Sequence, residues 1–509
     1  MKRIAIVGGG IAGLSAAYEL ARTHERDSAA SCTFTLFEAA PRLGGIVATE
    51  RRAGFVVECG PDSWVSEKPA ARTLAAELGL ADALIGSNDR WRKTYLAEGR
   101  TLTPLPDGMR MMVPSNWAAL LASPLLSWQA KLAYLREPKM AATLQASALE
   151  NAGDTHDESV RDFVCRHFGA EAADAFAAPL LAGVFGGDIR SLSARAVLPV
   201  FTQIERTHGS LILGLQARLR AAANNSAPAD ASIFTSLRDG LGTLIERMEQ
   251  RIPAASLRRN TRVQAIERTG QQWRIRTESN GALAEEIFDS AIVAVPAHVA
   301  ASLLAPLDAA MPTLLPQQAS SAIVVALAFA PERAAALRIP RGFGFLVPQR
   351  QSATGHPNSQ AALAQRALLA CTFVDQKFPH RAPPGAILLR VFFGGPHAPA
   401  LLGESDTTLA TLALQSLGTL LGRLPEPEFS VVQRWPQSLP QYAVGHLQRM
   451  EQLQQRVARL SGLHLIGNAY HGVGLPDLIA AGCTTARTAI GAACAQSSTA
   501  KPPATRTRP

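Results

Sequence analysis

Arg3-Ile4-Ala5-Ile6-Val7-Gly8-Gly9-Gly10-Ile11-Ala12-Gly13 opens the chain. Its first five residues form a short apolar run, suited to a strand buried on both faces of a parallel sheet. From Leu14 to Thr23 the apolar side chains Leu14, Ala17, Tyr18 and Ala21 recur at helical spacing. His24 to Ser31 is polar and reads as a loop. Thr33-Phe34-Thr35-Leu36-Phe37-Glu38 is a second strand with an acid at its end. The unit is β-turn-α-β, and its glycines have mechanical roles. Gly8 permits the tight turn, Gly10 lets a pyrophosphate approach the backbone, and Gly13 lets helix and strand pack closely. Gly9, Ile11 and Ala12 complete the turn into a helix whose free N–H groups and positive dipole end suit phosphates. Glu38 is placed to accept hydrogen bonds from ribose hydroxyls. It stands further past Gly13 than the about 20 residues usual in such units, and the polar insertion 24–31 accounts for the difference.

Outward from this unit, the 509 residues leave room for about two to four domains at roughly 100–200 residues each. Hydrophobic residues at 47% and charged residues at 18% exclude wholesale disorder, collagen and coiled coil. The net charge is +9, three of it from Lys501, Arg506 and Arg508 near the C-terminus. Such an excess suits an anionic ligand or an acidic lipid surface as well as nucleic acid. No basic helix or RNA-binding motif accompanies it, so no nucleic-acid partner is expected. Cys32, Cys59, Cys165, Cys371, Cys483 and Cys494 are scattered without a CxxC pair. Reduced, mostly buried thiols are expected, with no metal site. Gly8 to Gly10 break the first apolar stretch, so it does not read as a signal peptide, and no run of about 18 apolar residues reads as a spanning helix. A cytoplasmic location is expected, with peripheral contact to the inner face of the cell membrane left open.

Residues 87–140 hold eight Lys/Arg against four acids, together with Trp91, Tyr95, Trp117, Trp128 and Tyr134. Residues 159–220 read as helical, and 221–231 as a surface loop. Leu241 to Ile252 reads as a helix, Thr261 to Arg268 with Gln272 to Thr277 as a hairpin, and Ile287 to Val295 as one buried strand. Gln349 to Gln360 reads as a loop, and Gln496 to Pro509 as a disordered tail.

The second strand runs into Glu38-Ala39-Ala40-Pro41-Arg42-Leu43-Gly44-Gly45. Gly44 and Gly45 expose backbone N–H groups, and Arg42 supplies a fixed positive charge near a pyrophosphate. The stretch resembles the Glu-x-x-x-Arg-x-Gly-Gly extension of the flavoprotein superfamily that holds amine oxidases, phytoene desaturases and protoporphyrinogen oxidases. That resemblance implies FAD over NAD. Further along, Gly467-Asn468-Ala469-Tyr470-His471-Gly472-Val473-Gly474-Leu475-Pro476-Asp477 opens another turn-to-helix unit. Its amides would face the flavin ring, where a helix N-terminus stabilises negative charge.

Five stretches make the resemblance narrower. They are Phe55-Val56-Val57-Glu58-Cys59-Gly60-Pro61-Asp62-Ser63-Trp64; Pro179 to Asp188 with Leu192-Ser193; Thr372-Phe373 with Phe378-Pro379-His380-Arg381-Ala382-Pro383; Arg434-Trp435-Pro436-Gln437-Ser438-Leu439-Pro440-Gln441-Tyr442 with Gly445-His446-Leu447; and 467–477 with Gly482. Together they resemble the oxygen-dependent protoporphyrinogen oxidase family, including its coproporphyrinogen-oxidising bacterial branch, over about residues 3–490.

The resemblance implies a mixed α/β fold: a Rossmann-like FAD-binding domain split between both chain ends, an inserted mixed-sheet substrate domain, and a helical lid or membrane-facing portion. The expected division is FAD-binding 1–86, helical 87–230, FAD-binding 231–298, substrate-binding 299–445, FAD-binding 446–495 and tail 496–509. One noncovalent FAD per chain is implied. Its contacts by motif are Gly8 to Gly13, Glu38, Ala39, Arg42, Gly44, Gly45, Gly60, Pro61, Asp62, Ser63, Val263, Trp435, Val473, Gly474 and Leu475. The implied reaction converts protoporphyrinogen IX or coproporphyrinogen III to the porphyrin, with dioxygen as acceptor and hydrogen peroxide as product. A porphyrinogen is a bulky macrocycle bearing propionates, so it needs an apolar cavity with cations at its rim. Lys68 is the first candidate for a propionate, followed by Arg92 and Lys93. No side chain is named as a catalytic base, since the flavin carries the chemistry. Monomer and homodimer both stay open. The rival readings are a flavin amine oxidase, which would need an aromatic cage from Trp435, Tyr442 and Tyr470, a carotenoid desaturase, and a flavin- or porphyrin-binding protein without turnover.

Overall fold

The opening apolar run forms the central strand of a five-stranded parallel sheet. The computed structural model describes residues 1–26, 32–150, 157–224, 232–348 and 359–491. The strand order is Leu257–Arg258, Cys32–Phe37, Lys2–Val7, Ser290–Val293, Leu463–Leu465, so three separate parts of the chain build one sheet. Ile6 stands between Leu36 and Ile292 in register. Helix Ile11–Arg26 covers the sheet and extends past the expected start of the polar loop at His24; residues 27–31 lie outside the described part. Helix Leu475–Ile490 packs across it so closely that a Cβ on Gly482 would stand 2.3 Å from Ala12 O.

Arg262–Thr269, Gln272–Ser279 and Ala282–Phe288 form an antiparallel three-stranded sheet. The expected hairpin is present, and a third strand was not foreseen. The expected single strand Ile287 to Val295 is in fact two. Phe288 ends the antiparallel sheet and Ser290 starts the parallel strand. Asp289 turns the chain between them, accepting from Arg3 N–H at 2.8 Å and Gln272 Nε2 at 2.8 Å.

A seven-stranded sheet carries the inserted region, in the order Phe429–Pro440, Ala319–Phe329, Ile387–Phe393, Leu368–Phe373, Gly344–Leu346, Thr94–Glu98, Thr101–Pro104. Its last two strands come from within 87–230, which was expected to be helical. Thr94–Glu98 pairs in parallel with Gly344–Leu346; Ala97 is buried in the core that packs on that sheet, and Leu96 in the core of the helical portion. Helices make up most of residues 117–150 and 160–224. Phe163, Phe168, Phe176 and Tyr134 centre their core, with Tyr134 stacked 4.4 Å above Phe168. Residues 221–224 continue helix Leu211–Asn224, and Gln360 begins helix Gln360–Ala367. The rest of those two expected loops (225–231 and 349–358) and the tail 496–509 fall outside the described residues. Among the described residues no helix is long and apolar enough to cross a membrane.

Candidate cofactor and substrate site

Gly8 has a φ of +106°, and its N–H donates to Phe37 O at 2.8 Å. A Cβ at Gly8 would stand 2.5 Å from Ala294 O, and one at Gly13 only 2.0 Å from Gly8 O. Only glycine lets strand, turn and helix approach so closely. Gly10 differs: a Cβ there would meet nothing within 4 Å. Open space against bare backbone at a helix N-terminus is the requirement of a bound phosphate. Gly44 and Gly45 close the other side. Gly44 N–H donates to Gly9 O at 2.8 Å, and a Cβ on Gly45 would lie 3.1 Å from Gly10 Cα.

Glu38 accepts from Gly9 N–H at 2.6 Å and Ala40 N–H at 2.8 Å, so its carboxylate ties the first glycine turn to the segment that follows the second strand. Ala39 beside it is exposed. Arg42 donates from Nη1 to Leu43 O and Val47 O, both at 3.2 Å, and from Nη2 to Gly45 O at 2.5 Å. Its guanidinium also lies 5.7 Å from the centre of the Trp435 ring. Trp435 is half-buried, and its indole N–H donates to Cys59 O at 2.7 Å. Arg42, Trp435 and the Cys59–Gly60 backbone are thereby brought together from three parts of the chain. Val263 is buried in the core formed with Phe37 and Trp273. Val473 and Gly474 lead into Leu475, the first residue of the C-terminal helix.

Gly60, Pro61, Asp62 and Ser63 lie over a group of buried ions that sequence reasoning missed. Lys377 Nζ contacts both Asp62 carboxylate oxygens at 3.0 Å and Ser63 Oγ at 3.3 Å. Arg390 donates to Gly60 O and stands 3.4 Å from Asp62 Oδ2. Arg381 stands 2.9 Å from Glu58 Oε1 and donates to Ser236 Oγ at 2.7 Å. Burial works against the charge of Asp62, yet Lys377 and Arg390 hold its carboxyl well below the usual carboxylate range. Burial pushes the Glu58 carboxyl up, opposed chiefly by Arg381. A signal did exist in the sequence. Arg390 interrupts Ile387-Leu388-Leu389-Arg390-Val391-Phe392-Phe393, and a charge inside a uniformly apolar strand requires a buried partner.

The proposed rim cations have different surroundings. Lys68 is paired with both oxygens of Asp477 at 2.7 Å, which ties the loop after Ser63 to the first turn of the C-terminal helix. Arg92 and Lys93 are exposed and follow the short turn Asp89–Trp91. Partial burial and the neighbouring Arg110 charge lower the Arg92 pKa, so Arg110 joins it as a second local cation. The aromatics that an amine-binding cage would need are otherwise engaged. Tyr442 stacks 3.9 Å from His446 and donates to Asn468 O at 2.6 Å, and Tyr470 is buried in the core with Met450. His471 is exposed and faces Gln454 at 2.8 Å.

Comparison with known proteins places this geometry. The model of flavin containing amine oxidoreductases matches residues 11–490. The chain is similar to coproporphyrinogen III oxidase of Bacillus subtilis (strain 168), 32% identical across 94% of this chain and 96% of that protein. It is also similar to the chloroplastic protoporphyrinogen oxidase of Nicotiana tabacum, 28% identical across 92% of this chain and 82% of that one. A crystal structure from Exiguobacterium sp. 255-15, provisionally named a protoporphyrinogen oxidase, superposes with a TM-score of 0.77 at 30% identity, covering 96% of this chain and 98% of that one. The chain therefore belongs to the flavin containing amine oxidoreductases, and it is an oxidoreductase with FAD as its cofactor.

Proposed function

We propose that the chain oxidises a porphyrinogen to the porphyrin in heme biosynthesis. The likeness to coproporphyrinogen III oxidases and protoporphyrinogen oxidases over nearly the whole chain carries this reading. Six electrons leave the substrate in three rounds, each removing a hydride from a meso carbon; of the three protons released in all, two leave nitrogen and one leaves the fourth meso carbon. FAD, when bound, would supply the hydride acceptor and the route by which dioxygen takes up the electrons as hydrogen peroxide.

The chain binds, orients and desolvates. Gly8, Gly9, Gly10, Ile11, Ala12 and Gly13 hold the pyrophosphate of FAD, supported by the open space at Gly10. Glu38 and Ala39 meet the ribose, with the Val263 backbone on the adenine side. Arg42, Gly44 and Gly45 close over the phosphates. Gly60, Pro61, Asp62, Ser63, Trp435, Val473, Gly474 and Leu475 line the flavin end. Lys68, Arg92 and Lys93 take substrate propionates. Tyr442 and Tyr470 are committed to packing, which disfavours an amine as substrate.

The helical portion supports peripheral membrane contact. On helix Trp128–Arg136, Trp128 is 70% exposed, Leu132 45% and Leu135 42%. These positions share one helix face, with Arg136 and Lys139 exposed beside them. An apolar face edged by cations suits the surface of an anionic bilayer. Flotation with anionic liposomes that weakens at high salt supports the contact; no flotation at low salt leaves the helix as a lid over the substrate.

Anaerobic mixing with each porphyrinogen tests the reaction itself. The yellow flavin absorbance bleaches with a substrate, and kcat/KM for coproporphyrinogen III against protoporphyrinogen IX identifies which. A protein that holds FAD yet bleaches with neither overturns the reading.

A further inference from the structure

The Glu58–Ser63 turn concentrates buried charge to a degree that stability does not require. Three cations converge on it, with Arg381 and Arg390 each 1% exposed and Lys377 11%. They face two carboxylates, Glu58 at 2% and Asp62 at 15%. With every group ionised the surplus is one positive charge, and a neutral Glu58 enlarges it. Hydrogen bonding does not consume this surplus. Among the described residues, Arg390 Nε, Arg381 Nε and Trp64 Nε1 are buried without a hydrogen-bond partner. Unmatched buried donors and a buried positive charge in excess of its counter-ions cost stability. Two cations would have sufficed for two acids. The third sits against the Gly60 carbonyl, on strand Ile387–Phe393 of the seven-stranded sheet.

We propose that Arg390, with Lys377 and Arg381, is a positioning group that makes the Gly60–Ser63 side of the site electropositive and thereby raises the reduction potential of the bound FAD. The inference rests on the reading that Gly60–Ser63 line the flavin. Two electrons and one proton added to the flavin leave one net negative charge on the reduced ring at neutral pH. The substrate hydride supplies both electrons and that proton, so no other reductant enters. A fixed positive charge in a low-dielectric setting stabilises this product more than the neutral oxidised ring. Asp62 keeps Arg390 and Lys377 in place while cancelling only part of their charge.

The test is the midpoint potential of the purified holoenzyme, measured by reductive titration against a reference dye. Arg390→Met lowers the potential by about tenfold in the two-electron equilibrium, ~30 mV. Asp62→Asn, which deletes a negative charge at the same place, raises it. Arg390→Lys keeps it near wild type. Loosening of the loop alone would shift both charge deletions in one direction or leave both unmoved, and either result overturns the inference. If Arg390→Met does not fold, Lys377→Met supplies the cation deletion for the same sign test. Flavin absorbance relative to protein separates the two levels of the argument. A wild-type chain without FAD sinks the reading of the cofactor site. Bound FAD with no opposite-sign shift sinks only the inference about charge.

Discussion

Two buried ionic clusters in this molecule are built on opposite terms. The one beneath Gly60–Ser63 holds three cations against two acids and leaves guanidinium N–H groups unmatched. The other joins four helical segments between residues 137 and 211. His167 is fully buried, with Nδ1 3.0 Å from Glu137 and Nε2 3.1 Å from Glu205. Arg166 bonds Glu205 and Glu158, and Ser210 Oγ and Leu211 N–H donate to Glu137. There the acids outnumber the cations, and both His167 ring nitrogens and both Glu137 oxygens have partners. Hydrogen bonds consume the buried polar atoms of the helical cluster, whereas the cluster beneath Gly60–Ser63 leaves guanidinium donors over. The clusters also differ in what pH does to them. Lys377 and Arg390 hold the Asp62 carboxyl well below the usual carboxylate range, whereas a histidine bonded to carboxylates at both nitrogens must be an imidazolium for both N–H groups to donate.

The largest effect should come from breaking a fixed pair. Arg381→Met leaves Glu58 buried without its counter-ion, and chemical denaturation should show a loss of about 3–5 kcal/mol. The deficit narrows as pH falls, because a protonated Glu58 needs no cation. Adding Glu58→Gln to Arg381→Met should recover most of the stability. A single variant within about 0.5 kcal/mol of wild type would mean that Glu58 is already neutral and that the surplus charge is larger than one.

The helical cluster should lose less, and on a different axis. Burial alone would lower the His167 pKa, but its hydrogen bonds to Glu137 and Glu205 raise it above 6.5. The stabilisation is thus fully present below pH 6.5 and is lost as pH rises through the higher folded value. Tm of the wild type should therefore fall on the alkaline side more steeply than that of His167→Gln. Near pH 6 the variant should be weaker by about 1–3 kcal/mol. Parallel profiles for the two proteins would show that His167 is neutral in the fold and that one glutamate carries the proton.

The contrast between the clusters also marks what could be read from the residues alone. The cradle was legible because its elements are local: strand, Gly8 to Gly13, helix and Glu38 lie within one run of chain, and each glycine has a single steric reason. Ionic partners are not local. Lys377 meets Asp62 and Arg390 meets Gly60 across more than half the chain. Arg390 could be flagged as a charge needing a partner, but no spacing rule names which. Strand Ala282–Phe288 was missed because Ala-Leu-Ala-Glu-Glu reads as helix-forming and lies exposed; its ladder with Gln272–Ser279 overrides that preference. Thr94–Glu98 was missed because the surrounding aromatic and basic residues hid a short run whose place is fixed by Gly344–Leu346, far along the chain.

The smallest effect tests the exposed counterpart of these buried pairs. Lys68 and Asp477 stand 2.7 Å apart, closer than Lys377 and Asp62 at 3.0 Å, yet the lysine side chain is 55% exposed. Solvent screening leaves such a pair worth about 0–1 kcal/mol, so Lys68→Ala should leave Tm and FAD occupancy nearly unchanged. Its proposed work is on substrate. KM for the four-propionate porphyrinogen should rise roughly threefold to tenfold, the ~0.6–1.4 kcal/mol of a partly screened charge contact. Asp477→Asn sharpens the test, since it frees Lys68 without removing it and should lower KM for the same substrate. An unchanged KM in Lys68→Ala removes Lys68 from the site and leaves the pair as a tether between the Ser63 loop and the C-terminal helix. A KM that rises in both variants assigns the effect to that tether, because a freed lysine should bind a propionate better, not worse.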